Sequence, residues 1–288
     1  MRLGPTPLLT ERECAALAAA RAAGRAQVEC TLDLGRTRST VTVAANEWTW
    51  EGRGFAYAGR CRPRTIYHWT GVGFEPAARY TSSLFKLVPT EWGPPTFEID
   101  GIKMLPTARV SPYADAERKV GLIAPRGKIV LDTCGGLGYF AAWCLRGGAA
   151  RVLSFEKHAG VLWLRSLNPW SPDSPWQDPP GAAFELRHGD ITQQIGALPD
   201  RSVDAILHDP PRFAIAGELY SQEFYGQLAR VLRPGGALFH YTGAPNSVSR
   251  GRELAREVSA RLSRAGFAPE LNGDGVLARA AARSRQGV

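Results

Sequence analysis

The chain has 288 residues, 44% of them hydrophobic, and a formal net charge of +8, which is the composition of a folded globular protein large enough for a catalytic domain of about 150 to 180 residues and a smaller one. No N-terminal stretch reads as a signal peptide and no apolar run reaches bilayer-spanning length, so the expectation is a soluble, cytoplasmic protein without a membrane partner. Five cysteines without a C-x-x-C pair and five scattered histidines argue for reduced thiols and against a disulfide framework or a metal site.

In chain order, Thr10 and Glu13 stand at capping-box spacing before an Ala-rich run, which predicts a helix over 11–25 and an N-terminal helical segment over 1–27. From 28 to 110 the pattern changes to short β-prone pieces, at 29–34, 40–44, 65–69 and 96–99, separated by Gly, Pro and Asn. These predict a small antiparallel domain for substrate recognition. From 111 to 288 apolar strands alternate with helical patterns, the mark of a parallel sheet with crossover helices. Strands are expected at 128–132, 151–155, 183–187, 203–208, 236–242, 267–271 and 275–280, with helices at 139–147, 157–167, 191–197, 220–232 and 250–265. Five prolines between Pro169 and Pro180 exclude regular structure there.

The chemistry concentrates at the carboxyl ends of these strands, where open α/β sheets bind ligands. Lys128 to Phe140 runs from an apolar strand through Asp132 into Gly135-Gly-Leu-Gly138 and then a helix. Gly136 and Gly138 allow close backbone approach to a ligand, and the helix N-terminus adds a positive end. Glu156 closes the second strand and suits the two hydroxyls of a ribose. Asp190 lies beyond the third, placed for the exocyclic amine of an adenine, with Ile191 beside the ring. The fourth strand runs into Asp209-Pro-Pro-Arg-Phe213. A dinucleotide dehydrogenase shares the first part of this pattern, but Ala141 stands where its third glycine belongs and Asp209-Pro-Pro is foreign to a nicotinamide site.

Leu131-Asp-Thr-Cys-Gly-Gly-Leu-Gly138 resembles the D-x-G-x-G-x-G loop of the class I S-adenosylmethionine-dependent methyltransferases, with Cys134 in place of the first glycine. The resemblance covers residues 111–282 and implies a Rossmann-like, seven-stranded α/β domain behind the small β-rich one. It implies S-adenosylmethionine as cofactor, S-adenosylhomocysteine as product, and no metal. Asp132, Gly136 and Gly138 would hold the methionine part, Glu156 the ribose, and Asp190 with Ile191 the adenine. Asp209-Pro-Pro-Arg-Phe213 is similar to the D/N-P-P-aromatic motif of amino methyltransferases. Here Arg212 occupies the aromatic slot and Phe213 follows; the likeness makes Asp209, the carbonyl of Pro210 and the ring of Phe213 the catalytic group, and Pro211 and Arg212 its substrate-binding neighbours. Fixing both N–H groups of an amine aims its lone pair at the methyl, and such positioning is worth several kcal/mol. Glu218 and Tyr220 would face the acceptor, or else anchor the helix that follows. Asp209-Pro-Pro-Arg-Phe213 also resembles the motif of some ribosomal RNA methyltransferases, but those that methylate cytosine carbon need a cysteine nucleophile and no cysteine follows Cys144, so that likeness points away from carbon. The His208 to Phe213 sequence, Pro95–Met104 and Gly217–Ser221 also resemble a group of archaeal methyltransferases without an assigned substrate.

A second enzyme class competes. Tyr220-Ser-Gln-Glu-Phe-Tyr225 and Glu98–Lys103 are similar to stretches of spermidine synthases, which use decarboxylated S-adenosylmethionine to transfer an aminopropyl group. Those enzymes place an acid inside the glycine loop, and this chain has none between Gly136 and Gly138. A non-catalytic RNA-binding protein is a third reading. Residues 1–110 carry 14 basic and 10 acidic side chains, 111–249 carry 13 of each, and 250–288 carry 8 and 4, so the positive charge lies on the flanks, which suits a polyanion partner and equally the ordinary surface of an Arg-rich composition. Trp48, Trp50, Tyr57, Tyr67 and Trp69 interleaved with Arg53, Arg60, Arg62 and Arg64 read equally as a single-strand nucleic-acid surface or as a sheet core. The partner is therefore a nucleic acid, RNA ahead of DNA, or a small amine, and oligomeric state is left open.

Overall fold

The computed structural model describes residues 5–175, 181–243 and 250–281. The chain forms two compact units, residues 1–115 with 160–179 and residues 116–159 with 180–288. Residues 160–179, expected in the second domain, thus pack with the first. One reason is Gly160, where a Cβ would lie 2.3 Å from the Phe85 ring, so only glycine admits that contact.

The first unit opens with β1 (Leu8–Leu9) and α1 (Glu11–Ala22), followed by β2 (Gln27–Cys30), β3 (Ser39–Val43), β4 (Glu47–Trp50), β5 (Arg53–Ala56), β6 (Tyr67–Trp69) and β7 (Phe74–Pro76). After these come β8 (Ala78–Tyr80), β9 (Leu84–Val88), β10 (Thr96–Ile99) and β11 (Ile102–Lys103). They form three small antiparallel sheets, β2-β3-β4-β5, β1-β6-β7 and β11-β10-β9-β8. The helix starts where the capping box predicts, with both of its reciprocal bonds formed. Residues 31–34, expected as strand, instead enter a turn organised by Asp33, whose Oδ1 accepts from Thr31 Oγ1 and the backbone N–H groups of Arg36 and Thr37. Trp48, Trp50, Phe55 and Tyr67 are buried with Leu17, Leu32 and Val41 in one core cluster, and Trp48 stacks on Phe55 at 4.8 Å. For these aromatics the core reading holds: alternation along β4 and β5 turns Trp48, Trp50 and Phe55 inward, and Tyr67 is the buried residue of β6.

Cys14 and Cys61 form a disulfide across 47 residues of sequence, which corrects the expectation of reduced thiols throughout. The pairing joins α1 to the segment after β5, and only the folded chain makes them neighbours. Cys30, Cys134 and Cys144 are free.

α2 (Pro112–Ile123) begins in the first unit and from Ala116 belongs to the second. The second unit continues with β12 (Ile129–Asp132), α3 (Tyr139–Arg146), β13 (Arg151–Glu156), α4 (Ala159–Leu167), β14 (Phe184–His188), α5 (Ile191–Gln194) and β15 (Val203–His208). It ends with α6 (Gln222–Val231), β16 (Leu232–Tyr241), α7 (Arg250–Arg264), β17 (Phe267–Asn272) and β18 (Gly275–Ala280); from Gly160 onward α4 belongs to the first unit. Seven strands pair in the order β14-β13-β12-β15-β16-β18-β17. The first five are parallel, and β18 pairs antiparallel with both β16 and β17. This is a Rossmann-like sheet with an antiparallel edge. Its strand order reverses direction at β12, which leaves a crevice beyond the carboxyl ends of β12 and β15. The core joins Leu131, Leu153, Ile206 and Leu238 from the strands to Tyr225 and Leu228 of α6 and Val258 of α7.

Two expected details differ. β16 begins at Leu232, with Gly235 at φ 75° inside it, so Leu-Arg-Pro-Gly-Gly is an irregular strand start and not a turn before the strand. α6 begins only at Gln222, preceded by a 3₁₀ turn over Gly217–Tyr220. Of the proline-rich loop, residues 176–180 lie outside the described residues, as do 282–288 of the basic C-terminal flank. No described helix is long and apolar enough to cross a membrane.

Candidate functional site

The carboxyl edge of the large sheet carries the candidate cofactor residues. Asp132 at the end of β12 is fully buried and accepts a hydrogen bond from Ser154 Oγ at 2.8 Å. The loop after it turns on Gly136 and Gly138, at φ 49° and 81°, conformations that favour glycine. Gly138 is the N-cap of α3, and it has no side chain to fill the space in front of the helix. The Gly136 N–H donates to Glu156 Oε2 at 2.9 Å, and the His158 N–H donates to Glu156 Oε1 at 2.8 Å. Glu156 is thereby fixed at the end of β13, facing the glycine turn.

Asp190 caps α5, accepting from the Thr192 N–H at 2.9 Å and its hydroxyl at 2.7 Å. Its other oxygen meets Lys157 Nζ at 2.8 Å. Burial alone would raise this carboxyl, but the hydrogen bonds from Lys157 and Thr192 hold it below the usual carboxylate range. The same hydrogen bond raises the Lys157 ammonium. Ile191 is buried in the core cluster, where it backs the site. Cys134 is kept a thiol, raised well above its ordinary value chiefly by burial, with Glu156, Asp132 and Asp209 acting in the same direction.

The candidate acceptor residues follow β15. Asp209 is half-buried, and its Oδ2 lies 3.2 Å from Nζ of Lys119 on α2. Pro210 is buried, while Arg212 and Phe213 face outward, Phe213 at 47% exposure. The carbonyl of Pro211 accepts from the Tyr220 hydroxyl at 3.0 Å. Tyr220 itself is 2% exposed and stands edge-on to Phe213 at 5.4 Å. The structure therefore places Tyr220 as an anchor of the Pro-Pro turn, not as an open wall. Glu218 is exposed, 3.9 Å from Lys157 Nζ. Arg261 of α7 donates to the Tyr220 carbonyl at 2.9 Å and reaches within 5.9 Å of the Phe213 ring.

His208, one residue before Asp209, points into the opposite face, as strand alternation requires. Its Nε2 donates to the Leu219 carbonyl at 3.0 Å and its Nδ1 accepts from the Thr133 hydroxyl at 2.7 Å. Burial pushes it down to about 4, so it is neutral at physiological pH. His240 lies 4.4 Å away ring to ring and is held well below its ordinary value by burial and by His208. These two imidazoles tie the Asp132 strand end, β15 and β16 together. Among the described residues, no group of three or more His, Cys, Asp or Glu side chains is arranged to hold a metal ion.

Sequence reading missed Lys119 and Lys157. The signal for Lys119 was Pro112 at the first position of a helical run over 112–123, a position proline favours. For Lys157 nothing local distinguishes it from a surface lysine.

Residues 177–270 match the model of a family described as S-adenosyl-L-methionine-dependent methyltransferase. An uncharacterised protein of Methanocaldococcus jannaschii is 43% identical over 192 residues, covering 66% of this chain and 64% of its own length. A polyamine aminopropyltransferase of Streptomyces coelicolor is 33% identical over 117 residues, 40% of this chain and 21% of its own length. The chain thus spans less than two thirds of both curated relatives. Among solved structures, the spermidine synthase of Thermotoga maritima has a TM-score of 0.53 at 16% identity, covering 70% of this chain and 71% of that one. At that identity the likeness speaks for the fold alone.

Proposed function

We propose, from the match of residues 177–270 to the S-adenosyl-L-methionine-dependent methyltransferase family, that this chain transfers a methyl group directly to an amino nitrogen bound by Asp209 and the carbonyl of Pro210. The observation that carries this reading is the alignment of Asp132, the Gly136–Gly138 turn, Glu156 and Asp190 along β12, β13 and β14, with Asp209-Pro-Pro at the end of β15 beside β12. The donor set fits the cofactor: a glycine turn for the close-lying methionine part, a fixed carboxylate for two ribose hydroxyls, and a second for an amine on the adenine ring. S-adenosylmethionine, when bound, supplies an electrophilic methyl on a positively charged sulfur. Transfer to nitrogen would form the new N–C bond, leave the C–S electron pair on sulfur, and give the nitrogen one proton to shed. Asp209 orients the amine and takes or relays that proton. Phe213, exposed beside Asp209, offers a face for a planar acceptor.

Replacing Asp209 with Ala tests this. Transfer should fall by at least about 100-fold while calorimetric affinity for S-adenosylmethionine stays within a few fold, and full activity in the variant would refute the assignment. Aminopropyl transfer is the second reading, favoured by the sequence likeness to the Streptomyces aminopropyltransferase. The loop from Gly135 to Gly138 lacks the acid that reading calls for. Titration with intact and decarboxylated S-adenosylmethionine separates the two, and a clear preference for the decarboxylated form would exclude methyl transfer. For a nucleic-acid acceptor the support is the charge on the two flanks alone, and a small amine suits the site equally.

A further inference from the structure

Lys119 sits in the half of α2 that belongs to the second unit, with its side chain only 1% exposed. Its Nζ is 3.2 Å from Asp209 Oδ2, 3.7 Å from the centre of the Tyr241 ring and 5.8 Å from that of Phe140. An ammonium out of water is stable only when its charge is met, and here a carboxylate and two aromatic faces meet it. A second lysine–carboxylate pair lies at the ends of β13 and β14, where Lys157 pairs with Asp190 at 2.8 Å and faces Glu218 at 3.9 Å. The candidate acceptor acid Asp209, the candidate adenine acid Asp190 and the exposed Glu218 thus each have a lysine nitrogen within 4 Å.

A protonated amine brought to Asp209 would come within a few ångströms of the Lys119 ammonium. At an effective dielectric of about 20, two like charges about 5 Å apart weaken binding on the order of 100-fold. An uncharged amine meets no such repulsion and finds a carboxylate fixed in place. We infer that Lys119 is a positioning and specificity residue, and that the acceptor is an uncharged nitrogen, such as the amino group of a planar ring, and not a protonated polyamine. The inference rests on the assignment of Asp209 to the acceptor and narrows the acceptor's class.

The test uses the full chain loaded with S-adenosylhomocysteine and spermidine as the cationic probe, followed by calorimetry at moderate salt. Wild type and Lys119→Arg should show no saturable spermidine binding at millimolar concentration. Lys119→Met should gain at least about 10-fold, and Lys119→Met with Asp209→Asn should lose that gain, because the carboxylate is gone. Lys119→Gln, whose amide still bonds to Asp209, is a second cation-free variant should Lys119→Met fold poorly, and retained S-adenosylhomocysteine affinity reports the fold of each. Spermidine binding to wild type as tight as to Lys119→Met would overturn the inference, as would no gain in either folded cation-free variant. Preference of the wild type for decarboxylated S-adenosylmethionine would instead refute methyl transfer, and the spermidine series would still judge Lys119 on its own.

Discussion

Acidification should weaken this fold through His208, and the amount follows from its surroundings. The imidazole is fully buried, accepts from Thr133 and donates to the Leu219 carbonyl, and is packed by His240, Phe224 and Tyr220 at 4.4, 5.4 and 6.5 Å. None of these neighbours is a carboxylate that would welcome a proton. Its value falls from 6.5 to about 4, so the folded state favours the neutral ring. The stabilisation is complete above 6.5 and is lost as pH falls from 6.5 towards 4, because the unfolded chain binds the proton first. That gap corresponds to ~3 kcal/mol, a large part of an ordinary folding free energy. Urea unfolding at pH 7.5, 6.5, 5.5 and 4.5 measures it, with His208→Gln as reference, since glutamine accepts and donates at similar positions without titrating. The wild type should lose ~2 to 3 kcal/mol more than His208→Gln between pH 6.5 and 4.5. Parallel pH curves for the two proteins would refute the reasoning.

Three further outcomes are expected. Glu156→Gln replaces one of the two acceptor oxygens facing Gly136 and His158 with a donor, and should weaken S-adenosylmethionine binding by about 10-fold in a calorimetric titration. Replacing both Cys14 and Cys61 by Ser opens a 47-residue connection; by chain entropy that costs ~4 kcal/mol, read from the denaturation midpoint of wild type with and without reductant and of the variant. Trp48→Ala removes a fully buried ring stacked on Phe55 and should cost ~3 to 5 kcal/mol, seen as a lower thermal midpoint.

The parallel sheet was legible because its strands are continuous apolar runs closed by acids and glycines, a pattern set by neighbours in sequence. Val203–His208 falls where periodicity placed it, as does the antiparallel Gly275–Ala280. The small antiparallel sheets were harder to read. β4, β5 and β7 to β9 are three to five residues long, and strands that short carry little period of their own, so partners across the sheet decide them. The same holds for the aromatic run at 48–69, whose composition fits an RNA surface and whose pleat puts Trp48 and Phe55 in the core.

What the sequence alone determined is the run of carboxylates and glycines on successive strand ends, from Asp132 and Gly138 through Glu156 and Asp190 to Asp209-Pro-Pro. Sheet topology collects such residues on one edge wherever strands are parallel. What only the tertiary structure decided is the charge they present. Lys119 is 90 residues from Asp209, and Cys14 is 47 from Cys61. No local pattern encodes either pairing, because each arises from packing an element against a distant partner. Burial then raises the cost of leaving Lys119 unmatched, and so the fold, more than the motif, sets the charge beside Asp209.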